Sequence, residues 1–126
     1  WLYVEDHARA LYLIATEGKS GETYNVGGGA ERTNLEVVEA ICGVMQKRVP
    51  LVNNSRYEEL ITFVEDRPGH DHRYSINSKK IKEELGWVPT ESFKTGIEKT
   101  VIWYLEHPKW CQSVSGNYDQ ERLGLN

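Results

Sequence analysis

The sequence predicts a mixed α and β chain, and three observations carry that expectation. Four stretches place apolar residues at helical spacing between recognisable start and stop residues, three or four short runs read as strands, and three consecutive glycines separate one such strand from a helix. The strands are too few and too short to make a satisfactory independent sheet.

Residues 1–4 alternate and carry two aromatics, which suits a short strand, and Asp6 offers a carboxylate to cap a helix over 7–17. In that helix Ala8, Leu11, Tyr12 and Ala15 fall at helical spacing, with Gly18 and Gly21 bracketing the stop. Residues 22–26 read as a strand that runs into Gly27, Gly28 and Gly29. Thr33 with Glu36 three residues on is a capping box, and Leu35, Val38, Ile41, Cys42 and Met45 form the apolar stripe of the helix it opens. Pro50 makes 48–52 at best an edge strand, 53–59 is a polar connection, and 61–64 is a better strand. After a polar loop over 66–74, Ser78 caps a short helix with Ile81 and Leu85 inward and Gly86 as its stop. Ser92 or Thr90 caps the last helix, whose face is Phe93, Ile97, Val101, Tyr104 and Leu105, and Pro108 ends it. The tail beyond Trp110 is polar and carries no obvious element.

A length of 126 residues with 39% hydrophobic and 27% charged residues fits one globular domain. No apolar run approaches the roughly 20 residues of a membrane span, and the acidic start carries no export signal. Fifteen basic against nineteen acidic residues, net −4, leave no basic excess for a nucleic acid. Cys42 and Cys111 stand far apart, as reduced thiols in a cytoplasmic protein would. The chain opens on Trp1, not Met, and its first residues read as the middle of something, so a piece of a longer protein is expected.

Two segments carry chemistry. The turn from 22–26 through glycines to a helix N-terminus is a generic anion site, although it is not G-x-G-x-x-G and glycines serving a tight turn explain it more simply. Asn34, just inside the capping box, is by default part of the helix start. In the loop, Arg67 presents a planar fork of donors suited to phosphate, and His70 lies three residues on across a Pro-Gly turn, so together they resemble half of a diphosphate clamp. Pairing of Arg67 with Glu65 or Asp66 on a solvated loop is equally open. A metal site from His70 and His72 with Asp66, Asp71 or His7 is the weaker rival, since no cysteine pair or second histidine pair lies at ligand spacing. No P-loop, Gly-x-Ser-x-Gly elbow or Tyr-x-x-x-Lys pair occurs, and no catalytic residue is nominated.

Trp1-Leu2-Tyr3-Val4-Glu5-Asp6-His7, Gly21-Glu22-Thr23-Tyr24-Asn25-Val26-Gly27-Gly28, Asn34 with Val37-Val38, Asp66-Arg67-Pro68-Gly69-His70-Asp71, Glu84-Leu85-Gly86-Trp87-x-Pro89 and Gly96-Ile97-x-Lys99-Thr100-Val101-x-Trp103-Tyr104 together resemble the C-terminal portion of the dTDP-glucose 4,6-dehydratases, a family of extended short-chain dehydrogenase/reductases. The resemblance runs in order from Trp1 to Trp110. It implies an α/β fold in which 1–33 are residual Rossmann elements, 34–110 are most of the small nucleotide-sugar domain, and 111–126 are a tail. The family takes dTDP-glucose to dTDP-4-keto-6-deoxyglucose and water with NAD held in an N-terminal Rossmann domain. Its dinucleotide turn, Tyr-x-x-x-Lys pair and acid/base carboxylates lie upstream of the part represented here. The resemblance therefore implies a nucleotide-sugar site at Asn34, Asp66, Arg67, Pro68, Gly69 and His70, short of one upstream arginine, with no catalytic, NAD-binding or metal residue. The expected ligand is a dTDP-sugar or dTDP, weakly held. A strand and helix stripped of their sheet expose apolar faces, so a homo-oligomer is expected. The alternative is a standalone nucleotide-binding or self-associating structural module whose site is vestigial.

Overall fold

The computed structural model describes residues 1–66, 69 and 75–116. Among the described residues there are five α-helices, α1 (Val4–Glu17), α2 (Asn34–Arg48), α3 (Lys79–Leu85), α4 (Phe93–Glu106) and α5 (Pro108–Ser115), with 3₁₀ turns at Val52–Asn54 and Tyr57–Leu60. No β-strand occurs among them. The four segments expected as strands fail for a common reason: a strand is completed by a ladder to a neighbour, and none of them has one. Val4 and Arg48 belong to helices instead, and Val52 opens a 3₁₀ turn.

Segment 22–26 is held by side chains in place of a ladder. Tyr24 and Val26 pack against the core of Ala10, Ile81 and Trp87, to which Leu2, Leu13, Ile14 and Leu85 also contribute. The Tyr24 hydroxyl donates to the Glu84 carboxylate at 3.0 Å, and the Lys80 ammonium donates to Glu22 at 2.6 Å and to the Thr23 carbonyl at 2.9 Å. These bonds strap the segment to α3.

α1 starts three residues before the expected position, with Tyr3 at its N-cap. Asp6 therefore does not cap α1 but sits inside its first turn, where its carboxylate is buried. The helix turns Asp6 and Ala10 fully inward. Ala8, Leu11, Tyr12 and Ala15, the residues picked out by their spacing, all lie on the exposed side.

The capping box of α2 forms as expected. The Thr33 amide donates to Glu36 at 2.7 Å, and the Glu36 amide donates to the Thr33 hydroxyl oxygen at 3.2 Å. These bonds from Thr33 hold the Glu36 carboxyl below the usual carboxylate range. The buried face coincides with the expected stripe in part: Cys42 is buried and Ile41 and Met45 are half-buried, but Leu35 and Val38 are exposed and Val37 is buried in their place. It packs on α4 and on the second 3₁₀ turn, with an Arg48–Glu98 ion pair of 2.9 Å across the helix pair.

α3 has Ser78 in the cap position, but the Asn77 side-chain oxygen accepts from the Lys79 amide. Ile81 is fully buried, and Gly86 ends the helix at φ +68°, the left-handed conformation that glycine adopts without cost. Ser92 caps α4, accepting from the Thr95 amide at 3.2 Å. Of the face expected there, Val101 is buried, whereas Tyr104 and Leu105 are exposed. Pro108 ends α4 as expected but also opens α5, which continues past Trp110 into the stretch where the sequence shows no obvious element. At a first helical position the missing proline N–H costs nothing, so one residue both stops and starts a helix.

Candidate functional site

Two of the three glycines are filled from within the chain, while Gly29, at φ +63°, has nothing within 4 Å of a Cβ position and serves the turn by its backbone conformation. A Cβ at Gly28 would collide with the Trp1 carbonyl, and one at Gly27 with the Ile76 side chain, so these positions serve close backbone approach and not an open diphosphate turn. α2 begins only at Asn34, five residues after Gly29. The run lacks the close strand-to-helix turn that cradles a dinucleotide pyrophosphate. Trp1 is seated against 28–32: its nitrogen donates to the Ala30 carbonyl at 3.2 Å and its indole N–H to the Arg32 carbonyl at 3.3 Å.

The same segment receives the far end of the polar loop. Ser75 donates to the Glu31 carboxylate at 2.5 Å, and Ile76 packs over Gly27. The residues that follow the 66–74 loop are thereby fixed to the approach to α2, three residues before Asn34. Asn34 itself is exposed at the first position of α2, where the helix dipole favours an anion. Asp66 is exposed, and Gly69 is exposed with φ +71°, the backbone that a turn through glycine requires. Arg67, Pro68 and His70 lie outside the described residues, as do Asp71 and His72. Among the described residues no group of three His, Cys, Asp or Glu side chains could hold a metal ion, and no helix is long and apolar enough to cross a membrane.

Sequence reasoning missed two features here. Ser75 and Ile76 carry no motif, and only the fold brings them to Glu31 and Gly27. Asp6, expected to cap α1, has a different task. It is 1% exposed, and its carboxylate accepts from the Thr90 amide at 3.1 Å, the Thr90 hydroxyl at 2.7 Å, the Glu91 amide at 2.9 Å and the Arg9 guanidinium. Burial pushes its pKa up, but the Glu91, Thr90 and Arg9 hydrogen bonds outweigh burial and hold the carboxyl well below the usual carboxylate range. Asp6 thus fixes the entry to α4 onto α1.

A cavity of about 510 Å³ lies between residues 1–5 and α4, walled by Trp1, Tyr3, Phe93, Ile97, Trp103 and Tyr104 among others. Asn34, Asp66 and Gly69 do not line it.

This fold and loop arrangement has relatives. Residues 1–100 match the family model for GDP-mannose 4,6 dehydratase, and the chain belongs to that family. Within it the similarity is to dTDP-glucose 4,6-dehydratases, as the motifs indicated. The Neisseria meningitidis serogroup B enzyme of that name is 54% identical over 127 aligned positions, covering 98% of this chain and 36% of the relative. dTDP-glucose 4,6-dehydratase 1 of Escherichia coli K12 is 56% identical, covering 94% and 32%. Among solved structures, the Bacillus anthracis dTDP-glucose 4,6-dehydratase in complex with NAD superposes with TM-score 0.74 at 39% identity, covering 87% of this chain and 32% of that one. The Streptomyces venezuelae enzyme DesIV, with NAD and TYD bound, gives 0.75 at 36% identity, covering 87% and 31%. The chain spans about a third of the length of these relatives and matches their C-terminal portion. The extended short-chain dehydrogenase/reductase fold expected from the motifs is the fold of these neighbours, and the relatives' cofactor is NAD.

Proposed function

We propose that this chain supplies the nucleotide-sugar half of a dTDP-glucose 4,6-dehydratase site, with 34–110 as the substrate-binding unit, 1–33 as elements of the Rossmann part and 111–126 as a tail. Asn34, Asp66, Arg67, Pro68, Gly69 and His70 form the site, the Arg67 guanidinium and His70 taking the diphosphate and ribose and Gly69 shaping the turn. The observation that carries this is the anchoring of the loop's far end beside the α2 N-terminus through Ser75–Glu31 and Ile76–Gly27. It supports a loop held next to amides and a dipole suited to phosphate.

In the whole enzyme this site would hold dTDP-glucose, and NAD, held by the upstream Rossmann part, would supply oxidation at C4 and the hydride returned to C6 after water is lost across C5 and C6. The family's catalytic and NAD-binding residues lie upstream of this portion, so incubation of the chain alone with dTDP-glucose and NAD gives no 4-keto product. Calorimetry with dTDP tests the site. Arg67→Ala removes a charge-assisted phosphate contact of about 1.5–3 kcal/mol, a loss of roughly 10- to 100-fold in affinity. Equal affinity for the two proteins, or no binding by either, overturns the proposal.

A second feature favours self-association: Leu11 and Tyr12 are 53% and 73% exposed on α1. We expect an oligomer in which one copy covers these residues on another, and a monomeric mass by light scattering at micromolar concentration refutes it. The free thiols Cys42 and Cys111 agree with a cytoplasmic setting.

A further inference from the structure

The loop that joins α2 to the second 3₁₀ turn is clamped at its base and bare at its tip. At the base the Gln46 side-chain amide donates to the Ser55 carbonyl at 3.3 Å and accepts from the Tyr57 amide at 3.2 Å, while the Tyr57 hydroxyl donates to the Val49 carbonyl at 2.9 Å. At the tip Asn53 and Asn54 are exposed and both left-handed, at φ +60° and +56°, a backbone that asparagine tolerates singly and that two in succession strain. No hydrogen bond among the described residues holds the Asn54 side chain, and the Ser55 amide is held by a long 3.4 Å bond to the Val52 carbonyl. The carbon of an asparagine side-chain amide lies one ring closure from the next residue's backbone nitrogen, and a larger following side chain crowds that nitrogen. Asn25 and Asn34 precede Val26 and Leu35, whereas Asn54 and Asn77 each precede serine. Asn77 is guarded, because its Oδ1 accepts from the Lys79 amide at 2.9 Å and the Ser78 carbonyl accepts from the Lys82 amide as α3 begins. Two identical Asn-Ser pairs therefore differ in how the fold engages them.

We propose that Asn54 is a site of spontaneous covalent modification. The Ser55 backbone nitrogen gives up its proton to solvent and bonds to the Asn54 Cγ, the bond from Cγ to the side-chain nitrogen breaks, and ammonia leaves. Water then opens the resulting succinimide, at Cγ to give aspartate or at the backbone carbonyl to give isoaspartate, so the net change is water taken up and ammonia released. Ring closure turns Asn54 out of its left-handed conformation and relieves the strained pair. Either product adds a negative charge to the loop. Isoaspartate also adds one atom to the backbone between Val49 and Ser55, which slackens the Gln46 and Tyr57 clamp at the end of α2. The proposal rests on this loop and not on the nucleotide site.

The test is incubation of the purified chain at neutral pH, folded and in urea, followed by peptide mapping with mass spectrometry. In urea the peptides holding Asn54 and Asn77 should convert at similar rates, each gaining the mass difference between an amide and an acid. In the folded chain Asn54 should keep converting while Asn77 falls at least tenfold behind it. Ser55→Val crowds the attacking nitrogen and should slow conversion of Asn54 at least tenfold. Asn54→Gly holds the left-handed backbone without cost and has no side-chain amide, so that peptide should keep its mass. Hydrogen exchange reads the consequence: amides over 49–57 should exchange faster in the aged chain than in the fresh one, while aged Asn54→Gly matches its own fresh sample. A folded chain in which Asn54 is protected as well as Asn77, or in which Asn77 converts first, overturns the proposal. So does a rate that Ser55→Val leaves unchanged, or a fully converted loop that exchanges no faster than in fresh protein.

Discussion

Replacing Asp6 should unlatch α4 from α1, and the size of the effect follows from the bonds it makes. Asp6→Ala leaves the Thr90 and Glu91 amides and the Thr90 hydroxyl without their acceptor, while Arg9, 49% exposed, can turn to water. An orphaned buried donor costs about 1–3 kcal/mol. Thr90 is exposed and its groups recover part of that from solvent, so the expected loss is about 2–4 kcal/mol. For a chain of this length that is a fall in Tm of roughly 6–16 °C, measured at fixed protein concentration because oligomerisation shifts Tm. Asp6→Asn keeps one acceptor oxygen and should lose about half as much. The carboxyl is more acidic folded than unfolded, so its contribution is complete above the unfolded value near 4 and is lost as pH falls through that value toward the lower folded one. At pH 3 it has cost wild type about 1 kcal/mol that Asp6→Asn does not lose. Urea titrations at pH 7 and pH 3 supply the comparison. An Asp6→Ala loss under 0.5 kcal/mol, or an unchanged acid slope in Asp6→Asn, would refute the latch.

The remaining predictions concern α2 and the glycines before it. Gly28→Ala drives a Cβ into the Trp1 carbonyl, which cannot swing aside as a side-chain tip would, and should cost about 1–3 kcal/mol in urea unfolding. Gly43→Ala, inside α2 with nothing within 4 Å of the new Cβ, should instead stabilise by about 0.5–1 kcal/mol; the same sign for both glycines would refute the packing of the run. Thr33→Ala removes the N-cap of α2 and should cost about 1 kcal/mol, read as a lower urea midpoint with unchanged slope.

Much of the helical structure was legible locally. Thr33 with Glu36, Ser92 with Thr95, and Gly86 each act through groups within four residues, so the sequence contains both partners of every bond. The family likeness was legible because its motifs are contiguous runs. The site was legible as residue types in the 66–74 loop, but the bonds that anchor it were not, because Ser75 and Glu31 are 44 residues apart.

The sequence by itself therefore determined where α2, α3 and α4 begin, where α3 stops, and which family the chain resembles. Only the tertiary structure decided that 22–26 is strapped to α3 by Lys80 and Tyr24, since partners 57 and 60 residues apart in the chain are specified by no local pattern. It also decided that Asp6 serves α4 and not its own helix, because a carboxylate goes to whichever unsatisfied amides the fold brings to it. Periodicity revealed an apolar stripe on α1, but which side of a doubly apolar helix the core takes depends on what lies opposite. Here Ile81 and Trp87 lie opposite Ala10, and Leu11 and Tyr12 are left facing outward.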